Sequence, residues 1–320
     1  MRVLYIGGTG EISYACVMAS LQLGHEVTVF NRGLRVRLPP EVRQVHGDLQ
    51  DVAAYQALSS DEFDTVCQFL AFTTEAIERD IDFFKGRCSQ YMFISTASAY
   101  RKPDAGELIT EQTPLENRFW EYSRKKIACE LRLQTETDFP VTVVRPSHTY
   151  RERVPSTVVT GDHLVWRLLK GKPVIAHDGG QTLWTLTHAT DFAAAFTGLI
   201  GETRALGEAL HITSSQAYAW KDVLTCVADA LGCPIDIMPV PTETLIEHVP
   251  EWEGPLLGDK ARSMQFDNSK VQRLLPSWSC RIGLSAGIEA AIKSLLDRPQ
   301  GVPEADRQLD ALIDRIVASA

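Results

Sequence analysis

The run Gly7-Gly-Thr-Gly-Glu-Ile-Ser13 follows a short apolar stretch, Arg2–Ile6, and precedes a helical pattern; no other feature limits the fold of this chain as strongly. Gly7 and Gly10 permit a tight turn and the close approach of backbone to a pyrophosphate, whose charge is favoured by free N–H groups at a helix N-terminus. Ser13 replaces the third glycine of the usual fingerprint and is small enough to keep helix and strand close. Ile12, Ala15, Cys16, Ala19 and Leu23 then recur at helical spacing, Gly24 closes the helix, and Glu26–Phe30 reads as a second strand. Strand, glycine turn, helix and strand within about 30 residues make a dinucleotide-binding unit, with Gly7, Gly10, Glu11 and Ile12 at the ligand.

Further strands are expected at Val42–His46, Thr65–Leu70, Tyr91–Ser95 and Val141–Arg145. Their spacing predicts the α/β class: a Rossmann-type doubly wound parallel sheet with a smaller, helix-rich C-terminal substrate lobe. The expected core is 1–150, with 185–215 returning to it through a helix at 192–200 and a strand at 209–213. Residues 151–184 and 216–320 are left for the lobe, with helices at 157–170, 220–231, 242–248, 268–275, 284–296 and 304–317.

The second strand ends beside Asn31 and Arg32, where an acid normally meets the adenosine ribose. Asn31 can still bond a ribose hydroxyl. Arg32 can stack on adenine, pair with a 2′-phosphate or stand solvated, so the choice between NAD and NADP stays open. Asp48 and Leu49 after the third strand, Leu70 after the fourth and Ser95 after the fifth lie at the carboxyl edge, where ligands collect.

Composition removes other classes. With 41 acidic and 32 basic residues, a net charge of −9, the chain lacks the basic excess that phosphate neutralisation demands, so no nucleic-acid partner is expected. Seven cysteines without a CxxC pair suit reduced thiols, and eight dispersed histidines suggest no metal site. No apolar run approaches the roughly 20 residues of a membrane span, and no leader pattern is visible at the N-terminus. A cytoplasmic protein is expected, with no membrane partner and a homodimer left open.

Tyr122 and Lys126 are four residues apart, hence on one helix face, and an ammonium lowers a phenol's pKa from about 10. Tyr122 can then exchange a proton with an alcohol while a cofactor exchanges hydride. Thr96, in Phe93-Ile-Ser-Thr-Ala-Ser-Ala-Tyr100, can orient the same oxygen. Glycine turn, Asp48, Thr96, Tyr122 with Lys126, and Arg145-Pro146 occur in an order that resembles the extended short-chain dehydrogenase/reductase superfamily, in its NAD-dependent epimerase/dehydratase branch. The likeness runs to about Leu296, and the runs around Trp184 and Phe266–Lys270 resemble a bacterial subgroup whose substrates are mostly unassigned.

The resemblance implies Thr96, Tyr122 and Lys126 as the catalytic triad, with Lys126 also holding the nicotinamide ribose. It places Ser95, Arg145, Pro146, Ser147 and His148 along nicotinamide and substrate, and His188 and Asp191 where the lobe is anchored. Three departures narrow the reaction. Ala97 and Ser98 stand where 4,6-dehydratases carry an Asp-Glu pair, which removes elimination, and the Glu of related decarboxylases is absent too. Trp184 stands where sugar-nucleotide epimerases have a diphosphate-clamping Arg, leaving Arg151, Arg153 and Lys260 as replacement cations and the Trp184 ring as a stacking plate. The expected function is an NAD(P)-dependent epimerase of a nucleotide-linked sugar or nucleoside phosphate, working through a transient ketone. An NADPH-dependent ketoreductase of a sugar-like substrate is the alternative, and a non-catalytic nucleotide-sensing or RNA-binding relative is a third of another class.

Overall fold

The computed structural model describes residues 1–33, 36–51, 53–104 and 106–319. The chain begins β1 (Arg2–Ile6), α1 (Glu11–Gln22), β2 (Glu26–Asn31), β3 (Arg43–His46), β4 (Thr65–Gln68), α2 (Thr74–Phe84), β5 (Gln90–Ile94), α3 (Glu121–Gln134) and β6 (Val141–Pro146). It continues through β7 (His148–Tyr150), α4 (Gly161–Leu169), β8 (Val174–His177), β9 (Leu183–Trp184), β10 (Leu186–His188), α5 (Ala189–Gly198) and β11 (Ala209–Ile212). Past β12 (Tyr218–Ala219), α6 (Trp220–Leu231), β13 (Ile237–Val240), α7 (Thr242–His248) and short helical turns at 250–260, the longer helices are α8 (Ser269–Leu274), α9 (Leu284–Leu296) and α10 (Arg307–Ser319).

Seven strands form one parallel sheet in the order β11-β6-β5-β4-β1-β2-β3. Alternation along β1 explains why helices cover both faces. Val3 and Tyr5 join Val17, Phe192 and Phe196 of α1 and α5 on one side, while Leu4 and Ile6 join Ile77, Ile81 and Leu133 of α2 and α3 on the other. The order reverses between β1 and β4, so the carboxyl ends of these strands open a crevice. Residues 189–212 lie with this sheet, through α5 on α1 and β11 beside β6.

The remaining C-terminal part is helical as expected, but it also contains three two-stranded ribbons, β10 with β7, β12 with β9 and β13 with β8. Strands of two to four residues are too short to show a period, which is why the sequence did not reveal them. Helix α4 begins at Gly161 rather than at 157. Thr160 accepts the His163 N–H as its cap, and a Cβ on Gly161 would lie 2.1 Å from the Val154 carbonyl oxygen. Helix α2 went unnoticed because Asp80 interrupts its apolar stripe of Ile77, Ile81 and Phe84. That carboxylate is fully buried and accepts from Tyr55 Oη (2.7 Å), Tyr91 Oη (2.5 Å) and Gln68 Nε2 (2.5 Å). Gln68 in turn accepts the Leu70 N–H, so the network fixes the loop after β4 at the crevice.

Candidate active site

The turn after β1 owes its shape to Gly7 (φ 121°) and Gly8 (φ 84°). A Cβ on Gly8 would sit 2.8 Å from a Val29 methyl, so only glycine permits this approach to β2. Gly10 has an ordinary extended backbone and caps α1 as its N-cap residue; its value to a ligand is the missing side chain. Ser13, buried in the third-glycine position, accepts the Gly10 N–H at 3.0 Å.

Around this turn lies a cleft of about 580 Å³ whose lining includes Gly7, Gly10, Ile12, Asn31, Leu49 and Leu70. Glu11, Arg32, Asp48, Ser95, Lys126 and Pro146 complete the sequence-expected set found there, and Phe69, Phe72 and Gln50 are additions. Several polar groups already have partners. Asn31 donates to the Gly7 carbonyl and accepts the Gly33 N–H, which makes it a brace of the turn rather than a free ribose ligand. Glu11 accepts the backbone N–H groups of Glu152 (2.7 Å) and Arg153 (2.9 Å). The Ser95 hydroxyl, among the residues lining this cleft, is buried without a partner among the described residues, an orphan donor that a carboxamide would satisfy. Glycine turn, open helix N-terminus and orphan hydroxyl together fit a nicotinamide dinucleotide.

Arg32 and Asp48 face each other at 4.0 Å across the other end, both more than half exposed, so their attraction is weak and Arg32 is free to turn to a ligand. If it meets a 2′-phosphate, Arg32→Ala should weaken NADP by about 1.5–3 kcal/mol and leave NAD nearly unchanged in calorimetric titration. Equal losses for both would assign stacking instead.

Helix α3 presents Tyr122 and Lys126 to the cleft, with Glu130 continuing the same face. The Lys126 ammonium is buried, donates to the carbonyls of Ala71 (2.8 Å) and Ile94 (2.6 Å) and lies 4.6 Å from the ring centres of Phe72 and Phe93. Burial pushes its pKa down to about 8. The expectation that Lys126 depresses the Tyr122 phenol is corrected here. Burial raises the phenol above its ordinary value, hydrogen bonding with Thr96 opposes that, and the Asp259 carboxylate raises it further.

A second cavity, about 220 Å³, adjoins the first at Tyr122 and Pro146. Thr96, a candidate catalytic residue, and Ala97, Ser98, His148 and Trp184, candidate substrate ligands, line it together, with Ser147 beside them. Trp120 and Asp259 were not anticipated. Trp120 packs on Gly254 and Gly258, where a Cβ would approach its ring atoms to 2.4 Å and its Cβ to 2.7 Å. Asn117 explains the arrangement: its amide donates to the carbonyls of Ser98 (2.8 Å) and Gly258 (2.6 Å) and accepts the N–H groups of Phe119 and Trp120. Burial and the nearby Lys260 push His148 down to about 3, so its ring is neutral; it stands edge-on to Trp220.

Four expected ligands lie elsewhere. Arg145 reaches neither cavity, because its guanidinium is buried against Glu130 (3.0 Å) and the Tyr100 hydroxyl (3.0 Å). Arg151 covers the Tyr14 ring and pairs with Glu152, while Arg153 is exposed. Lys260 donates to Asp259 (2.9 Å) and lies 5.9 Å from the centre of the Trp184 ring, so its acidic neighbour, not Lys260, faces the cavity. Nor does His148 reach the dinucleotide cleft; it belongs to the smaller cavity. Removing one partner of a buried ion pair leaves an uncompensated charge, so Glu130→Ala should cost about 3–5 kcal/mol in urea unfolding. A loss below about 1 kcal/mol would mean that Arg145 finds water in the variant.

The sequence profile of the NAD dependent epimerase/dehydratase family matches residues 3–212. The chain belongs to this family. Along almost its whole length it is 27% identical over 333 residues to 2'-dehydrokanamycin reductase of Streptomyces kanamyceticus, covering 99% of this chain and 91% of that protein. It is 25% identical over 250 residues to chloroplast stem-loop binding protein of 41 kDa b of Arabidopsis thaliana, covering 73% of this chain and 64% of the relative. In fold it resembles Thermus thermophilus UDP-glucose 4-epimerase, solved in complex with NAD, with a TM-score of 0.75 and 21% identity, covering 93% of this chain and all of that one. Membership in the NAD dependent epimerase/dehydratase family and the sheet order agree on an NAD(P)-linked, short-chain-dehydrogenase type of enzyme. Among the described residues no helix is long and apolar enough to cross a membrane.

Proposed function

We propose that this enzyme transfers hydride between NAD(P) and one secondary carbon of a sugar-like ring, chiefly as a ketoreductase, on a substrate without a diphosphate handle. One observation carries the reading: among the described residues lining the smaller cavity, the one formally charged side chain is a carboxylate, Asp259. That carboxylate is paired with Lys260 at 2.9 Å, and none of the expected cations Arg151, Arg153 and Lys260 lines the cavity, so its lining offers a diphosphate no cationic partner. Its volume of about 220 Å³ also lies below the roughly 300–1,000 Å³ of sites that enclose larger ligands, so it suits one ring between aromatic walls. The near full-length likeness to 2'-dehydrokanamycin reductase of Streptomyces kanamyceticus supports the same choice.

When bound, the reduced cofactor supplies the hydride. Tyr122, neutral because of its burial, donates its proton to the carbonyl oxygen, and the Thr96 hydroxyl donates a hydrogen bond to the same oxygen. Lys126 brings positive charge to the larger cleft, one helical turn from Tyr122, which favours the anionic character that develops at the reacting oxygen. Trp120, Trp184 and His148 limit water around the reacting ring.

Epimerisation of a nucleotide-linked sugar or nucleoside phosphate is a second reading. It is favoured by the triad standing without the elimination pair, since Ala97 and Ser98 leave only oxidation and reduction. Incubation of the enzyme with keto-sugars and with nucleotide sugars separates the two. Stoichiometric consumption of NADPH or NADH is expected for the first; interconversion without added cofactor, and with little solvent deuterium at the inverted carbon, would replace it with the second. Binding of RNA without any turnover would replace both.

A further inference from the structure

Three buried hydroxyls form a chain that starts at Thr96 and Ser98 in the lining of the smaller cavity and ends at Ser123 behind it. Thr96 Oγ1 lies 2.9 Å from Ser98 Oγ, which lies 2.6 Å from Ser123 Oγ. Thr96 Oγ1 also accepts the Ser98 backbone N–H at 3.2 Å. The Ser98 carbonyl is held by Lys102 Nζ and Asn117 Nδ2, so the segment carrying the middle hydroxyl is fixed.

Each hydroxyl has one proton to give, and the chain can run in two directions. If Ser123 donates to Ser98 and Ser98 to Thr96, both lone pairs of Thr96 Oγ1 are filled and its own proton is left for the reacting oxygen or Tyr122. In the reverse direction Thr96 spends its proton on Ser98. Ser98 then donates to Ser123, whose proton has no acceptor among the described residues in a fully buried place, and an unsatisfied buried donor is costly. The first direction is therefore preferred. It gives the donor that catalysis at a carbonyl or alkoxide needs.

We propose that Ser98 and Ser123 are positioning residues that polarise the Thr96 hydroxyl so that its proton points toward Tyr122 and the reacting oxygen. The proposal rests on the hydride-transfer reading for its purpose, though not for its geometry. It also gives Ser98 a use: at a position where dehydratases carry an acidic residue, a hydroxyl sets the direction of its neighbour's hydrogen bond.

The test reads Tyr122 itself. Difluorotyrosine placed at position 122 titrates nearer neutrality and can be followed by fluorine NMR in the full-length protein without any substrate. Besides Thr96, the charged group acting on that phenol is Asp259 from the turn at 256–260; Lys126 on α3 lines the larger cavity beside Tyr122 and His148 on β7 the smaller, and none of the three is substituted in the variants. Ser98→Ala and Ser123→Ala should each raise the midpoint by about half a unit to one unit, the size expected for one weakened hydrogen bond. Ser98→Thr, which keeps the hydroxyl, should restore it. An unmoved midpoint in either alanine variant, or an equal shift with Ser98→Thr, would overturn the proposal while leaving the hydride-transfer reading intact. Conversely, shifted midpoints in a protein whose turnover survives Tyr122→Phe would keep the polarised chain and discard that reading. If Ser98→Ala does not fold, Ser123→Ala decides.

Discussion

Tyr122→Phe is expected to lower turnover about 10²–10⁴-fold while leaving dinucleotide affinity nearly unchanged, because one general acid is removed and the ring is kept. The ring is packed on Trp120 at 4.9 Å and near Phe72 at 6.1 Å, contacts that Phe reproduces. The pH dependence follows from the direction of the phenol's shift. Burial pushes the Tyr122 pKa up, so the acid form persists through the neutral range, and reduction needs no further proton to reach it. Oxidation in the opposite direction needs the phenolate and should therefore accelerate as pH rises. As pH rises through about 8, Lys126 loses its charge in the larger cleft, which should lower reduction and hold back the rise of oxidation, since both directions share one transition state. Rate profiles in both directions check this; a reduction rate that climbs through that range would remove Lys126 from the role given to it here.

The core was legible in the sequence because its signals are local. The glycine turn, the apolar run of β1 and the small and apolar residues of α1 each fit in a dozen residues, although α1 buries Ser13, Ala15, Cys16, Val17 and Ser20 rather than the whole spacing from Ile12 to Leu23, whose last member is exposed. Tyr122 and Lys126 were legible for the same reason, being one helical turn apart. What the sequence concealed depends on contacts between distant segments. Arg145 looked like a ligand from its place at the end of β6, yet Glu130 opposes it from α3, and Glu130 continues the Tyr122–Lys126 spacing by four more residues. That periodic acid was the available clue. Lys260 is the expected replacement for a lost arginine, yet its neighbour Asp259 lines the cavity; which of two adjacent residues does so depends on the turn at 256–260 and its tie to Asn117. Nothing near Asn117 in sequence announces that tie, which spans 141 residues.

Gly10→Asp should abolish dinucleotide binding and leave the fold as stable as before. The backbone at Gly10 has φ −85° and ψ 176°, a conformation any residue adopts, and a Cβ there would meet only Ser13 Oγ at 3.4 Å. Gly10 is the N-cap of α1, a position where Asp and Gly differ by only a few tenths of a kcal/mol. The aspartate carboxylate would accept the N–H groups of the first helical turn, the donors that a pyrophosphate needs, and would add like-charge repulsion of several kcal/mol. That corresponds to roughly a hundredfold or greater loss of affinity, at about 1.4 kcal/mol per decade. Gly8→Asp makes the contrast. Its backbone lies at φ 84° and its Cβ would press on Val29, so it should lose stability as well as binding. Calorimetry with NAD and NADP, beside thermal melting of both variants, separates these outcomes. Undiminished affinity in Gly10→Asp would place the dinucleotide away from the N-terminus of α1, and an equal drop in melting temperature for the two variants would show that the turn tolerates no side chain at either position.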